Sequence, residues 1–260
     1  MLKPTLKLSV IVPAYQEGAR IRANLQRLLG ELDRMGASYE VIVVSDGSTD
    51  DTVAEARSVD SPRVCVLSYA VNMGKGHALS RGVQQASGEL VTFIDADMEL
   101  NPREIRTFVN LLESGGYDIV VGSKRHRQSR VQYPAFRRLQ SMAYQLLVRV
   151  LFSLHVRDTQ TGLKLFRRDV LAEAVPLLAV KRFAFDLELL VVAHYLGYRL
   201  IVEAPIELDF QFESSVRLSA AFQVLWDTAA IFYRLNILRY YDDRRAGLVT
   251  PQPPSGDPGR

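Results

Sequence analysis

An α/β fold with a mostly parallel sheet and helices on both faces is what this chain predicts, and three observations predict it. Apolar β-forming runs recur through the first 122 residues without the alternation of a half-exposed strand, the pattern of strands buried on both faces. Between them lie segments whose apolar residues recur near every 3.6 positions, as in amphipathic helices. Turn formers and helix caps mark the joints. Buried strands alternating with helices imply parallel pairing through right-handed crossovers.

The elements follow in order. "KLSVIVPAY" (7–15) reads as the first strand, followed by a helix with Ile21, Leu25, Leu28, Leu29 and Leu32 on one face. "YEVIVVSDGSTDD" is a strand running into a turn, where Ser48 and Asp50 are N-cap types and Asp50 is assigned to the turn. "RVCVLSYA" is the third strand, with Cys65 expected in the core, and "NMGKGHALSRGVQQA" a loop and helix. "LVTFIDADM" is the fourth strand, "NPREIRTFVNLLES" a helix with Pro102 in its first turn, and "YDIVVGSK" the fifth strand.

After residue 122 the rhythm breaks. Residues 134–154 form a long amphipathic helix, and "DTQTGLKLFRRDVL" a turn, short strand and helix. "FDLELLVVAHYLGY" is a helix, and "RLIVEAPIELDF" one or two strands interrupted at Pro205. Residues 216–241 read as a final helix with Gln223, Asp227 and Arg234 on one side. Residues 242–260, rich in Pro and Gly, read as a disordered tail, leaving one domain over 1–241 with halves 1–122 and 123–241.

Composition narrows the class. Of the 260 residues 48% are apolar and 23% charged, ordinary values for a folded domain. A single cysteine excludes an intrachain disulfide framework and fits a reducing compartment. The first fifteen residues lack the apolar core and small-residue site of a secretory leader, so none is expected. No charge-free apolar run reaches the roughly 18 residues of a spanning helix. The net charge of +3 is unevenly placed: no carboxylate lies between Asp118 and Asp158, whereas Lys124, Arg125, Arg127, Arg130, Arg137, Arg138, Arg149 and Arg157 do. Such a block attracts anions: phosphate, nucleic acid or an acidic membrane surface. It carries no nucleic-acid recognition module, so no nucleic acid is expected. The four histidines are not spaced as a metal set.

In a parallel α/β sheet, ligands bind beyond the carboxyl ends of the strands. Pro13 and Tyr15 end the first strand with Glu17 close behind, Asp46 ends the second, Asp95 and Asp97 the fourth, and the cationic block follows the fifth. Residues i and i+2 of a strand share a face, so Asp95 and Asp97 can reach one hard cation, Mg²⁺ or Mn²⁺. Such an ion bridges a diphosphate and neutralises charge developing on it as a leaving group. Asp46 suits a base edge or ribose, and Lys75, inside Gly74-Lys75-Gly76, can close over a nucleotide. Neither the Walker A pattern nor the dinucleotide G-x-G-x-x-G is present.

In this order "SVIVPAYQEGARI", "VIVVSDGSTDDT", "NMGKGHAL", "FIDADMELNP" and "VVGSKR" resemble the family 2 glycosyltransferases, nucleotide-sugar enzymes of the GT-A fold. "RDTQTGLKLFRRD" and "KRFAFDLELL" resemble its polyprenyl-phosphate branch, the dolichyl-phosphate β-glucosyltransferases and mannosyltransferases. The resemblance spans roughly residues 7–240. It implies that 1–122 is the nucleotide-sugar half and 123–241 the acceptor half. It implies that Pro13, Tyr15 and Glu17 frame the nucleoside, Asp46 holds the pyrimidine, Asp95 meets ribose or metal, and Asp97 ligates the metal. Glu99 stands where mannose-transferring relatives have a Gln ligand. Arg125 matches an acceptor-phosphate position within the block that includes Arg137 and Arg138, and Arg217 a basic residue meeting the donor diphosphate. Asp158 and Gln160 would line the sugar pocket, with Asp186 beside the transferred sugar.

The function implied is metal-dependent, inverting transfer of a hexose, glucose from UDP-glucose in the first place, to a polyprenyl phosphate at the cytoplasmic face of a membrane. GDP-mannose is the alternative donor. A soluble transferase acting on a hydroxyl or a small phosphorylated acid, and a nucleotide-sugar-binding scaffold without catalysis, are the other readings. Were the acceptor a hydroxyl, Asp186 would be the leading general base. "FRRLQSMAYQLLVRVLFSL" and "AAFQVLWDTAAIFYRLNILRYY" carry broad apolar faces with Arg at their margins, as interfacial helices do, and Trp226 fits either core or interface. Peripheral association through these helices, or a membrane-protein partner or homo-oligomer, is expected.

Overall fold

Alternate side chains of the first strand, β1 (Lys7–Ala14), divide the core in two. Leu8, Val10 and Val12 face one layer and Ile11 the other, as the two-residue period of a strand requires. The structure is a computed structural model that describes residues 7–129, 135–180, 184–207 and 218–247.

Seven strands form one sheet in the order β3 (Val64–Tyr69), β2 (Ser38–Asp46), β1, β4 (Leu90–Phe93), β6 (Lys164–Arg167), β5 (Ile119–Ser123) and β7 (Ile201–Pro205). On one face α1 (Ile21–Asp33) and α4 (Glu104–Gly115) bury Ile21, Leu25, Leu28, Leu32, Ile105, Phe108, Val109 and Leu112. On the other, α3 (Lys75–Gln85), α5 (Ala135–Phe152), α6 (Arg168–Ala174) and α7 (Phe185–Tyr195) pack around Phe93 and Phe166, whose ring centroids are 5.1 Å apart. Both apolar and polar residues of α7 are buried from Phe185 to Ala193, so this helix lies inside the protein. A short α2 (Thr52–Arg57) and the pair α8 (Leu218–Asn236) and α9 (Tyr240–Arg245) complete the layers.

The mostly parallel α/β class stands, and four local expectations are corrected. β6 comes from the second half and inserts antiparallel between β4 and β5, pairing Phe93 with Lys164 and Val121 with Lys164. Apolar periodicity marks a strand but not its partner, and the long connection through α5 lets the chain return in the opposite sense. The fourth strand ends at Phe93, not at 98; Asp95 to Asp97 form a turn closed by the Met98 N–H donating to the Asp95 carbonyl. The final helix is two, α8 and α9, because Arg239 takes φ +50° between them, and α9 carries helix into the stretch read as a tail. Cys65 is exposed, since β3 lies at the edge of the sheet.

The antiparallel insertion has a positional result. β1, β2, β4 and β5 run parallel and end at one edge, and an antiparallel neighbour begins at that edge. Lys164 and the 158–163 turn before it therefore join the strand ends that carry the acids.

Close packing also sets α3, whose first residue is Lys75. A Cβ at Gly82 would overlap the Ile11 side chain on β1. Replacing Gly82 with Leu is expected to cost about 1–3 kcal/mol through overpacking. A urea midpoint unchanged from wild type would remove this contact from the account.

Candidate active site

A cleft of about 490 Å³ opens at the carboxyl edge of the sheet. Of the residues singled out from sequence, Pro13, Tyr15, Glu17, Asp46, Lys75, Asp95, Asp97, Gln160 and Asp186 line it, joined by Ala14, Asn72, Gly74 and Ala96.

The nucleoside end is built around Asp46. Its carboxylate accepts the Tyr69 hydroxyl (2.8 Å) and the backbone N–H groups of Met73 (2.8 Å) and Gly74 (2.8 Å), while its carbonyl accepts Asn72 Nδ2 (3.1 Å). Burial, then the hydrogen bond to Asp46, raises the Tyr69 phenol and keeps it a donor. Asp46 thus shapes the 72–74 wall of the cleft. Gly47 follows at φ +69°, where a Cβ would overlap the Asn72 backbone, so only glycine fits both the conformation and the approach. Asp50 accepts the N–H of Gly18 (2.9 Å) and of Thr52 (3.1 Å), the turn role expected of it.

The acids of the fourth strand lie in a held turn. Asn24 of α1 donates to the Ala96 carbonyl (2.8 Å), and Met98 takes φ +51°, a conformation that side-chain-bearing residues keep only where surroundings impose it. A Cβ on Gly162 would overlap the Asp95 carboxylate, so the 158–163 turn packs directly on it. The two carboxylates reach one cleft through this turn and not through strand alternation.

Their electrostatics differ. Asp95 Oδ1 lies 2.5 Å from Lys75 Nζ. Burial opposes the Lys75 ammonium, but the charges of Asp95, Asp186 and Asp97 outweigh it and raise its pKa. Asp97 has no such ion pair among the described residues. Burial raises its carboxyl above the usual range, and the charges of Asp95, Glu99 and Glu17 add to this; the Glu99 N–H donating to Oδ1 (3.1 Å) works against it. Glu17 pairs with Arg20. Asp186, in the first turn of α7, pairs with Lys164 Nζ at 2.6 Å.

Several expectations shift. Among the described residues no three His, Cys, Asp or Glu side chains gather as a metal set. Glu99 is exposed and off the cleft lining, so the expected three-carboxylate set reduces to Asp95 and Asp97. Two hard oxygen donors with an unbalanced negative charge fit Mg²⁺ or Mn²⁺, which take few carboxylates and complete their shell from water and phosphate oxygens. Arg125 does not line the cleft: its Nη1 donates to Gln145 Oε1 and the Ser141 carbonyl on α5. Asp158 braces two loops, accepting the N–H of Lys124 (3.2 Å) and of Gln160 (3.1 Å). Arg137 and Arg138 fall in the first turns of α5 with side chains outside those described, and Arg217 lies outside the described residues. Lys164 was missed, although a lysine between two leucines inside an apolar strand was a visible signal.

Acids at the strand ends of a mostly parallel α/β sheet, opposed by lysines and set in an open cleft, stand where folds of this class bind their ligands. The profile of glycosyl transferase family 2 matches residues 9–174, and the chain belongs to that family and is a glycosyltransferase. A dolichyl-phosphate β-glucosyltransferase of Trichomonas vaginalis is 32% identical over 91% of this chain and 77% of its own length. The Homo sapiens protein of that name is 33% identical over 74% of this chain and 64% of its own, and that of Drosophila melanogaster 36% over 74% and 64%. Among solved structures, glucosyl-3-phosphoglycerate synthase from Mycobacterium tuberculosis with UDP superposes with a TM-score of 0.65 at 21% identity, covering 94% of this chain and 82% of that one. The same enzyme with Mn²⁺, UDP and glucosyl-3-phosphoglycerate gives 0.62 at 23% identity, covering 94% and 81%. These likenesses establish the GT-A fold.

The raised pKa of Asp97 carries a stability prediction. Its ionised form is disfavoured in the folded state, so the penalty is complete above the folded pKa and vanishes as pH falls through it toward the unfolded value of about 3.9. Asp97→Asn is therefore expected to raise the melting temperature in chelator at pH 7.5, with the gain shrinking as the pH is lowered. A destabilised variant at pH 7.5 would contradict the charge assignment.

Proposed function

We propose that this glycosyltransferase moves glucose from UDP-glucose to a polyprenyl phosphate of the dolichyl type, with inversion, at the cytoplasmic face of a membrane. One pair of features carries the reading: an acidic cleft at the strand ends, and exposed apolar stripes on the helices beside it. The names of the relatives, dolichyl-phosphate β-glucosyltransferases, support donor sugar and acceptor together.

The chemistry asks little of a base. A phosphate monoester has its second pKa near 6 and is largely a dianion at neutral pH. One of its oxygens bonds to the anomeric carbon while the bond from that carbon to the diphosphate oxygen breaks, and UDP leaves with the electron pair. A single displacement converts an α-linked donor into a β-linked product. The difficulty is that nucleophile and leaving group are both anions. A divalent ion held by Asp95 and Asp97 would offset charge on the diphosphate. The protein's own groups do the rest. Tyr15 and the Asp46-held wall bound the nucleoside, Lys75 offers its ammonium to the diphosphate, and Gln160 and Asp186 receive the sugar hydroxyls. Arg125 ties the loop after β5 to α5 through Nη1 and, off the cleft lining, would meet the acceptor phosphate on its way in and not at the sugar.

The lipid side rests on exposure. Met142, Leu146 and Val150 form one stripe along α5, and Leu225, Trp226 (68% exposed) and Tyr233 project from α8, followed by Ile237 and Leu238. The helices meet through the Tyr144 and Thr228 hydroxyls, 3.1 Å apart. Arg149 and Arg239, both exposed, stand beside the stripes. Among the described residues no helix is long and apolar enough to cross a membrane, and an interfacial helix pair needs no span. An exposed thiol such as Cys65 fits the reducing cytoplasmic side.

The test is a transfer assay with labelled UDP-glucose, UDP-galactose and GDP-mannose, Mn²⁺ or Mg²⁺, and a polyprenyl phosphate in vesicles, a short-chain soluble analogue, or 3-phosphoglycerate. Label is expected in the lipid from UDP-glucose alone. Asp97→Ala is expected to abolish it, and a Leu146→Glu/Trp226→Glu double variant to lose the vesicle reaction while keeping the soluble analogue. Preferred use of 3-phosphoglycerate would replace the lipid reading.

A further inference from the structure

The mechanism above uses the cleft's acids and gives no role to the buried ammonium of Lys164. Lys164 is 0% exposed at the start of β6. Its ammonium donates to Asp186 Oδ1 (2.6 Å) and to the Thr161 carbonyl (2.5 Å). A fully buried ammonium is costly, and a well-packed apolar residue in its place is often no less stable. Stability alone therefore gives a weak reason for a lysine here.

Position gives a better one. The Asp186 carboxylate is 11% exposed, and Asp186 lines the cleft. It rides on the first turn of α7, where the helix dipole favours an acid. The bond to Lys164 fixes its Oδ1. The same ammonium holds the Thr161 carbonyl, in the turn where Gln160 faces the cleft and Gly162 abuts Asp95. One buried cation thus joins the helix bearing Asp186 to the turn bearing Gln160, both on the cleft lining.

We infer that Lys164 is a positioning residue for recognition of the donor sugar: it presents Asp186 and the 160–162 turn to the hexose hydroxyls and does not touch the nucleotide. This deepens the proposed function and rests on its placing a nucleotide sugar in this cleft. Because the role runs through Asp186, it separates sugar binding from UDP binding.

The experiment is a binding cycle on the full chain with Mn²⁺, measuring UDP and UDP-glucose by calorimetry for wild type, Lys164→Met, Asp186→Asn and the double variant. Lys164→Met and Asp186→Asn are each expected to weaken UDP-glucose by about tenfold or more, the scale of a lost charged hydrogen bond, with UDP changed by less than about twofold. The double variant is expected to bind no more weakly than Asp186→Asn. If Lys164→Met alone does not fold, the comparison of the double variant with Asp186→Asn decides the matter, since no buried charge is then left unpaired. Equal loss of UDP and UDP-glucose, or losses that multiply in the double variant, would overturn the role of Lys164 with the donor reading intact. Wild-type protein that binds UDP but gains nothing from the glucosyl group would overturn both.

Discussion

Negative charge crowded at one edge of a sheet has to be balanced, and this constraint organises the site. Asp46 is met by a hydroxyl and backbone N–H groups, Asp95 by Lys75, Asp186 by Lys164 and Glu17 by Arg20. Asp97 is the exception in this set: its hydrogen-bond partner is a backbone N–H, and although Lys75 and Arg20 feel its charge, burial and the charges of Asp95, Glu99 and Glu17 prevail. A carboxylate left in that state is a standing demand for a cation. In the proposed function an ion and a diphosphate arriving together would meet that demand.

The fold supplies the acids through strand polarity. Parallel strands deliver their ends to one edge, and an antiparallel insert delivers its beginning to the same edge. Close approach then matters as much as charge. Glycine at 47 and 162 lets the Asn72 backbone and the Asp95 carboxylate come within distances a Cβ would forbid. The second half of the chain also builds the sheet, since β6 and β7 both come from it.

Much of this was legible in the sequence for physical reasons. Continuous apolar runs marked the buried strands of the first 122 residues, and polar groups just after such runs marked Asp46, Asp95 and Asp97 as cleft residues. What escaped depends on partners distant in the chain. The pairing of β6 with β4 and β5 has no signature in periodicity, so Lys164 could not be placed at the site although its setting between Leu163 and Leu165 was anomalous. Arg125 belonged to a basic run whose direction is set by Gln145, 20 residues on. Glu99 shares its neighbours' charge but not their turn, and so faces solvent. The break at Arg239 is a positive φ in a residue type that gives no warning of it.

If the proposed function holds, Asp97 shares a cation with the nucleotide diphosphate. Mn²⁺ affinity measured by electron paramagnetic resonance, with and without UDP, tests it most directly. Weak binding by the protein alone, strengthened at least about tenfold by UDP and absent from Asp97→Asn in both conditions, is the result expected if Asp97 and diphosphate oxygens share the ion. Mn²⁺ bound equally well without UDP, or undiminished when Asp97 is replaced, would contradict it.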